Sequence, residues 1–275
     1  MNQNYPNYDW VIFQIDNAFK VRDIMTRTRE LNFAHDIHDA RNKYKSKDFD
    51  YDIVPIGNPT NLHSYYDRET DSIEDIKKEN LLSIDTGIAT LVSLLERKGF
   101  YFVLELNFIS GFVNIPDLNK LLSFLPLYAT SLHAETSLRE YFRNKQKTMN
   151  QHVELFLTNQ FQKISSVADK NGLNNRLNFQ RLKNKFDKAR QSGFYTDIYD
   201  ELEFWQELAL YYHLNGKLST QNDWDKVRKF KEIRNRTMHI KDHLPYSNAR
   251  EYLSQLLSFL QECTDIIHNI SNGTP

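Results

Sequence analysis

From Ala134 to the C-terminus, apolar residues return every three or four positions, and the return is interrupted at Asn171–Gly172, Ser192–Gly193, Asn215–Gly216 and Pro245. A period near 3.6 puts the apolar set on one stripe of an α-helix, while Gly suits a helix C-cap and Pro prevents continuation. The pattern predicts five helices. The first covers 134–170, carrying Leu138, Phe142, Met149, Val153, Phe156, Leu157 and Ile164. The next two cover 173–190 and 197–214, the latter with Ile198, Leu202, Trp205 and Leu208 on one stripe. A fourth starts at Asp223 as N-cap and runs to His239, and a closing helix covers 247–270 with Leu253, Leu256, Leu257, Leu260 and Ile267. Short breaks between amphipathic helices imply an antiparallel bundle.

The first third reads differently. Segments 9–16, 51–57 and 100–108 are rich in β-branched and aromatic residues, with helical patterns at 17–45 and 78–98 between them. That order fits a small βαβαβ unit. Buried helices fit the same short apolar runs, because periodicity does not separate the two. Residues 57–72 read as a loop by composition. The expected organisation is a mainly α chain: an N-terminal domain over 1–115, α/β or helical, and a helical domain over 116–275.

Composition bounds the chemistry. A formal net charge of -1 gives no global field for nucleic acid, so such a site must be a local patch. One cysteine, Cys263, excludes an internal disulfide and a cysteine-based metal site, as expected for a cytoplasmic protein. The N-terminal residues lack the pattern of a secretory signal, and no run has the roughly 18 apolar residues of a membrane span. Neither GxGxxG nor GxxxxGK[ST] occurs, so no familiar phosphate loop is present. His35, His38 and Asp39 have a spacing a metal could use, but no further ligand group accompanies them, and no metal or cofactor is expected.

The stretch KEIRNRTMHIKDH (231–243) carries the sharpest chemistry. On a continuous helix, Asn235 and His239 stack at i and i+4, and Arg234 sits one step round with a side chain long enough to reach the same edge. An imidazole moves protons near neutral pH, and a guanidinium grips a scissile phosphate. That combination suits cleavage of RNA by its own 2′-hydroxyl without a metal. One histidine supplies the base or the acid, so two copies about a two-fold axis are expected to complete the site. Two other pairs have comparable spacing. In Arg29–His35, Glu30 follows the arginine and would neutralise a phosphate grip; the other is Arg236–His243. The basic run 176–190, with Arg181, Lys183 and Lys185, together with Lys229 and Arg236, is a candidate RNA-backbone contact, and a solvated helix face is its plainer reading. The acidic segment 197–207 is expected to pack against that run.

Arg234-Asn235-Arg236-Thr237-Met238-His239 resembles the Rx4–6H motif of HEPN-domain ribonucleases, which lies late in a helical bundle before a closing helix. The resemblance covers about 134–275. It implies a HEPN-like bundle acting as a metal-independent endoribonuclease that leaves a cyclic phosphate, with Arg234 and His239 catalytic and Asn235 supporting. The setting it implies is a toxin or phage-defence effector. Expected partners are RNA, a second copy of the chain, and an antitoxin or regulatory nucleotide. The alternatives are a non-catalytic helical module binding RNA or protein, and a purely structural dimerisation bundle.

Overall fold

The computed structural model describes residues 18–45, 53–167, 172–194, 197–239 and 249–273, without the side chains of 44–45, 119, 121–127, 237–239 and 249–250. The chain divides into two compact units. One comprises 13–126 with 243–253, and the other 1–12, 127–242 and 254–275.

The first unit contains the strands. They are β1 (Thr26–Arg27), β2 (Ile53–Asn58), β3 (Asn61–Asp67), β4 (Ser72–Asp75), β5 (Leu81–Ser83), β6 (Phe100–Glu105) and β7 (Phe108–Asn114), with helices α1 (Ile37–Lys45) and α2 (Ile88–Lys98). They form a four-stranded sheet in the order β1-β7-β6-β5 and a three-stranded sheet in the order β2-β3-β4. Among the named strands of the described residues, the β5–α2–β6 step is a parallel crossover and the other pairings are antiparallel; an isolated parallel bridge joins Ala34 to Ile56. Among the described residues, the expected βαβαβ unit is reduced to a single βαβ step. The expected strand at 9–16 lies outside the described residues.

Two segments depart further from the expectation. The expected loop at 57–72 contains β3 and the start of β4. Leu62, Tyr65 and Tyr66 are buried, so the aromatic run outweighs the turn residues around Pro59. The expected helix at 17–45 resolves into 3-10 turns at Val21–Asp23 and Thr28–Glu30, strand β1 and the short α1.

Local chemistry explains the rest of this unit. Gly99, left-handed at φ 84°, ends α2 by donating its N–H to the Leu95 carbonyl, and β6 follows at once. Ile88, Leu91, Val92 and Leu95 of α2 are buried at the i, i+3, i+4, i+7 positions. Tyr65, Phe100, Phe102 and Phe112 pack as an aromatic cluster with ring centroids 5.4–6.1 Å apart.

The second unit is helical: most of α3 (Leu121–Thr148), then α4 (Val153–Ser165), α5 (Phe179–Gln191), α6 (Phe204–Leu214), α7 (Gln221–His239) and most of α8 (Ala249–Ser271). The helix expected over 134–170 breaks at 149–152, where Asn150 takes φ 49°, and Met149 is exposed rather than core. Asn tolerates that left-handed geometry better than most side chains. Asn178 caps α5, accepting from the Gln180 and Arg181 N–H groups. The Asp223 carboxylate lies inside the first turn of α7 and accepts from the Ser219 and Thr220 N–H groups. Helix α6 is central, with Phe204 to Tyr212 buried without interruption, as an all-round apolar helix requires. Phe259 of α8 meets Phe204 of α6 and Phe230 of α7 at centroid distances of 5.8 and 5.6 Å. Cys263 is buried on α8.

Candidate functional site

Helix α7 runs unbroken to His239, so Asn235 and His239 stand at i and i+4 on one helix. Asn235 is exposed; the His239 side chain lies outside the described residues, as does all of His243.

Arg234 occupies the other side. Val227, Phe230 and Ile233 mark the buried stripe of α7, and Arg234 lies within that arc. Its guanidinium reaches α3, where Nε donates to Glu135 Oε1 at 2.9 Å and Nη2 to Oε2 at 3.3 Å. Five residues of α-helix turn through about 500°, which leaves Arg234 and His239 about 140° apart around the axis. The expectation that Arg234 swings to the Asn235 edge is thereby corrected: Glu135 holds it inward, at 22% side-chain exposure.

Glu135 belongs to a larger network. Arg139, one turn on along α3, reaches Glu135 Oε2 at 3.4 Å through Nη2 and Glu207 Oε1 of α6 at 2.6 Å through Nε. Glu207 is fully buried, and its Oε2 has no hydrogen-bond partner among the described residues. Burial pushes its carboxyl up to about 8, with Glu135 adding to the rise and Arg139 and Arg234 opposing it. Glu135 itself faces two guanidinium groups, those of Arg139 and Arg234. The sequence pattern singled out Arg234 and missed Glu135, Arg139 and Glu207. Their signal is the placing of charges on the apolar faces of α3 and α6, which becomes legible once the helical stripes are drawn.

The predicted RNA-contact residues separate into different surroundings. On α5, Arg181 is exposed and Lys183 half-buried, while Lys185 is paired with Glu203 Oε1 at 2.9 Å. Glu203 also accepts from Trp205 Nε1 at 2.7 Å, and Lys231 of α7 stands over the Trp205 ring at 5.6 Å. Burial works against this carboxyl, but its bonds to Lys185 and Trp205 hold it below the usual carboxylate range. The acidic segment thus packs against α5, as expected, and Asp197 and Asp200 additionally grip Arg143 of α3 at 2.7 and 2.9 Å. Lys229 and Arg236 are exposed on α7. Lys229 lines a groove of about 620 Å³ against Ser254, Gln255 and Ser258 of α8.

In the first unit, the Asp39 carboxylate accepts from the His35 N–H at 2.9 Å and from Lys43 Nζ at 3.0 Å. Among the described residues, no three His, Cys, Asp or Glu side chains are grouped to hold a metal ion. No described helix is long and apolar enough to cross a membrane.

No family model matches the chain, and no curated protein matches it. A solved structure, the CBS domain of the bacterial CNNM/CorC family Mg2+ transporter in complex with ATP, aligns at a TM-score of 0.31 and 18% identity, covering 41% of this chain and 92% of that one. A likeness that slight carries no argument about fold or activity.

Proposed function

We propose that the chain is a metal-independent endoribonuclease of HEPN-like type, cutting RNA by attack of the 2′-hydroxyl on the adjacent phosphorus. The 5′-oxygen leaves, and a 2′,3′-cyclic phosphate remains. His239 carries the proton in this reading, Asn235 orients the phosphate or the imidazole, and Arg234 offsets the charge that builds on the phosphoryl oxygens. A second copy supplies the complementary histidine, one acting as base and the other as acid. Arg181, Lys183, Lys185, Lys229 and Arg236 are the cations assigned to the RNA backbone; Lys185 would first have to exchange Glu203 for a phosphate. The biological setting proposed is cytoplasmic toxin or phage-defence action, restrained by an antitoxin or switched by a regulatory nucleotide.

The observation that carries the reading is the unbroken run of α7 to His239, which stands Asn235 and His239 at i and i+4 on one helix. Arg234, bound to Glu135 through Nε and Nη2, would first have to exchange that carboxylate for the phosphate. The hold of Glu135 on Arg234 favours a second reading, in which Arg234 serves only the fold and the bundle is a non-catalytic binding module.

The two separate in one assay. Single-stranded RNA is incubated with the purified full chain in EDTA, beside His239→Ala and Arg234→Lys, the latter keeping the charge and losing the bidentate fork. Cleavage by the wild type to cyclic-phosphate ends, reduced about 10²-fold or more in each folded variant, is the expected outcome. An inert wild type, or two variants that cut at the normal rate, leaves the binding module standing.

A further inference from the structure

Before α5 the chain makes a 3-10 turn at Asn174–Arg176, and Arg176 lines one small recess together with Arg181 and Lys185 of α5. Buried Leu182 and Trp205 form its floor, and Glu203 and Gln206 complete the lining. The interior is about 20 Å³, room for one water-sized atom, so anything larger sits at the mouth.

The lining carries three cations against one carboxylate. Glu203 is fully engaged, since Lys185 and Trp205 donate to its two oxygens at 2.9 and 2.7 Å. Arg176 and Arg181 are exposed, and neither guanidinium makes an ion pair or hydrogen bond among the described residues. With Lys185 set against Glu203, two positive charges stay uncancelled at the mouth. The wall adds a donor. Gln206 is 6% exposed, and its Oε1 accepts from the Glu203 N–H at 2.9 Å, which leaves Nε2 without a partner among the described residues. An amide so deeply set needs an acceptor, and the recess is where one can reach it.

We propose that this recess binds a phosphate group, with one oxygen entering toward the Gln206 amide and the others facing the Arg176 and Arg181 guanidinium groups at the mouth. Donors from three separate elements around one point suit the tetrahedral oxygens of phosphate better than the two in-plane oxygens of a carboxylate. Lys231, over the Trp205 ring of the floor, precedes Arg234 by three residues, about 4.5 Å along α7. A strand with one phosphate in the recess therefore has its neighbouring nucleotides near the candidate site. RNA as the source of the phosphate rests on the ribonuclease reading; the phosphate site itself does not. In sequence Arg176 is one more charge in the basic run, and Gln206 is hidden in an apolar helix.

The test is binding of a fluorescently labelled single-stranded 2′-O-methyl RNA, which has no free 2′-hydroxyl and is not cut, to the full chain and to Arg176→Gln, Arg181→Gln and Gln206→Glu. Glutamate keeps an oxygen for the Glu203 N–H and replaces the inward donor with a charge that repels phosphate. Arg190→Gln, exposed on the opposite side of α5 nine residues from Arg181, is the control for the general basic face. Circular dichroism checks that each variant is folded. Each recess variant is expected to weaken binding about tenfold at low salt, and each arginine variant to flatten the slope of log K against log salt by about 0.7, while Arg190→Gln changes neither. Calorimetric titration with inorganic phosphate separates the sources: phosphate binding lost in the recess variants, with RNA binding unmoved, keeps the site and makes its ligand a small phosphorylated molecule or the free ion. No binding of either probe by the wild type, recess variants that bind both probes normally, or an equal loss in Arg190→Gln overturns the proposal and leaves a solvated basic face. Because this RNA reports binding alone, recess-dependent binding by a chain that cuts no natural RNA sinks the ribonuclease reading only, and cutting without recess-dependent binding sinks this proposal only.

Discussion

A carboxyl without solvent around it is a liability that depends on pH, and Glu207 makes the dependence measurable. Its folded-state value of about 8 lies above the ordinary 4.5. Below pH 4.5 both folded and unfolded chains hold the proton. Between 4.5 and 8 the unfolded chain releases it while the folded one keeps it, so stability falls as pH rises, by at most about 1.4 kcal/mol per pH unit, and levels off above 8. Glu207→Gln mimics the protonated form and keeps an oxygen for Arg139. The expected outcome is that wild type loses several degrees more than Glu207→Gln in melting temperature between pH 5.5 and 8.5; equal slopes would mean that the carboxyl titrates normally. Little of this was legible in the sequence. FWQELALYY shows a glutamate in an apolar helix, but the partner that keeps it there, Arg139 on α3, lies 68 positions away. Arg234 itself was visible through its spacing to His239. Which way it points was not, because that is decided by a carboxylate 99 positions away.

Among the elements, the β6–β7 hairpin offers a sharp check. A Cβ on Gly111 would sit 2.8 Å from the Thr26 carbonyl and 2.7 Å from Met25 Sδ, where β1 pairs with β7. The methionine can move, but the strand backbone cannot do so without losing its ladder. Gly111→Ala is expected to cost about 1–3 kcal/mol and to raise hydrogen exchange at Thr26 and Phe112 before the helical unit responds. Unchanged protection at both amides would show that β1 adapts. The helices from 179 onward were readable because their apolar period is long and their breaks carry Gly or Pro. The break at 149–152 was not, since no glycine marks it and Asn150 supplies the positive φ instead. Strands β3 and β4 were hidden for the opposite reason. Asn58, Pro59, Thr60 and Asn61 announce a turn so strongly that the short runs beyond it look like its continuation, although that turn is what joins β2 to β3.

Over the whole molecule, near-neutral charge conceals strong local pairing: acidic residues before and within α6 are matched by basic ones on α3 and α5. The proposed nuclease therefore relies on a few outward cations rather than on a general field, and its RNA binding is expected to lose affinity steeply with salt only to the extent that those few contact phosphate. One buried atom offers a further use. Cys263, the single cysteine of the chain, is 1% exposed on α8, and burial holds its thiol well above the ordinary value. A disulfide reagent such as dithiobis(nitrobenzoate) should react with it only during openings of the helical unit, several orders of magnitude more slowly than with the same thiol in denaturant. Fast labelling of the native chain would contradict the packing of α8. If labelling is slow, the yellow colour released by the reagent becomes a clock for breathing of the bundle, readable while RNA is added and with no dye attached to the protein.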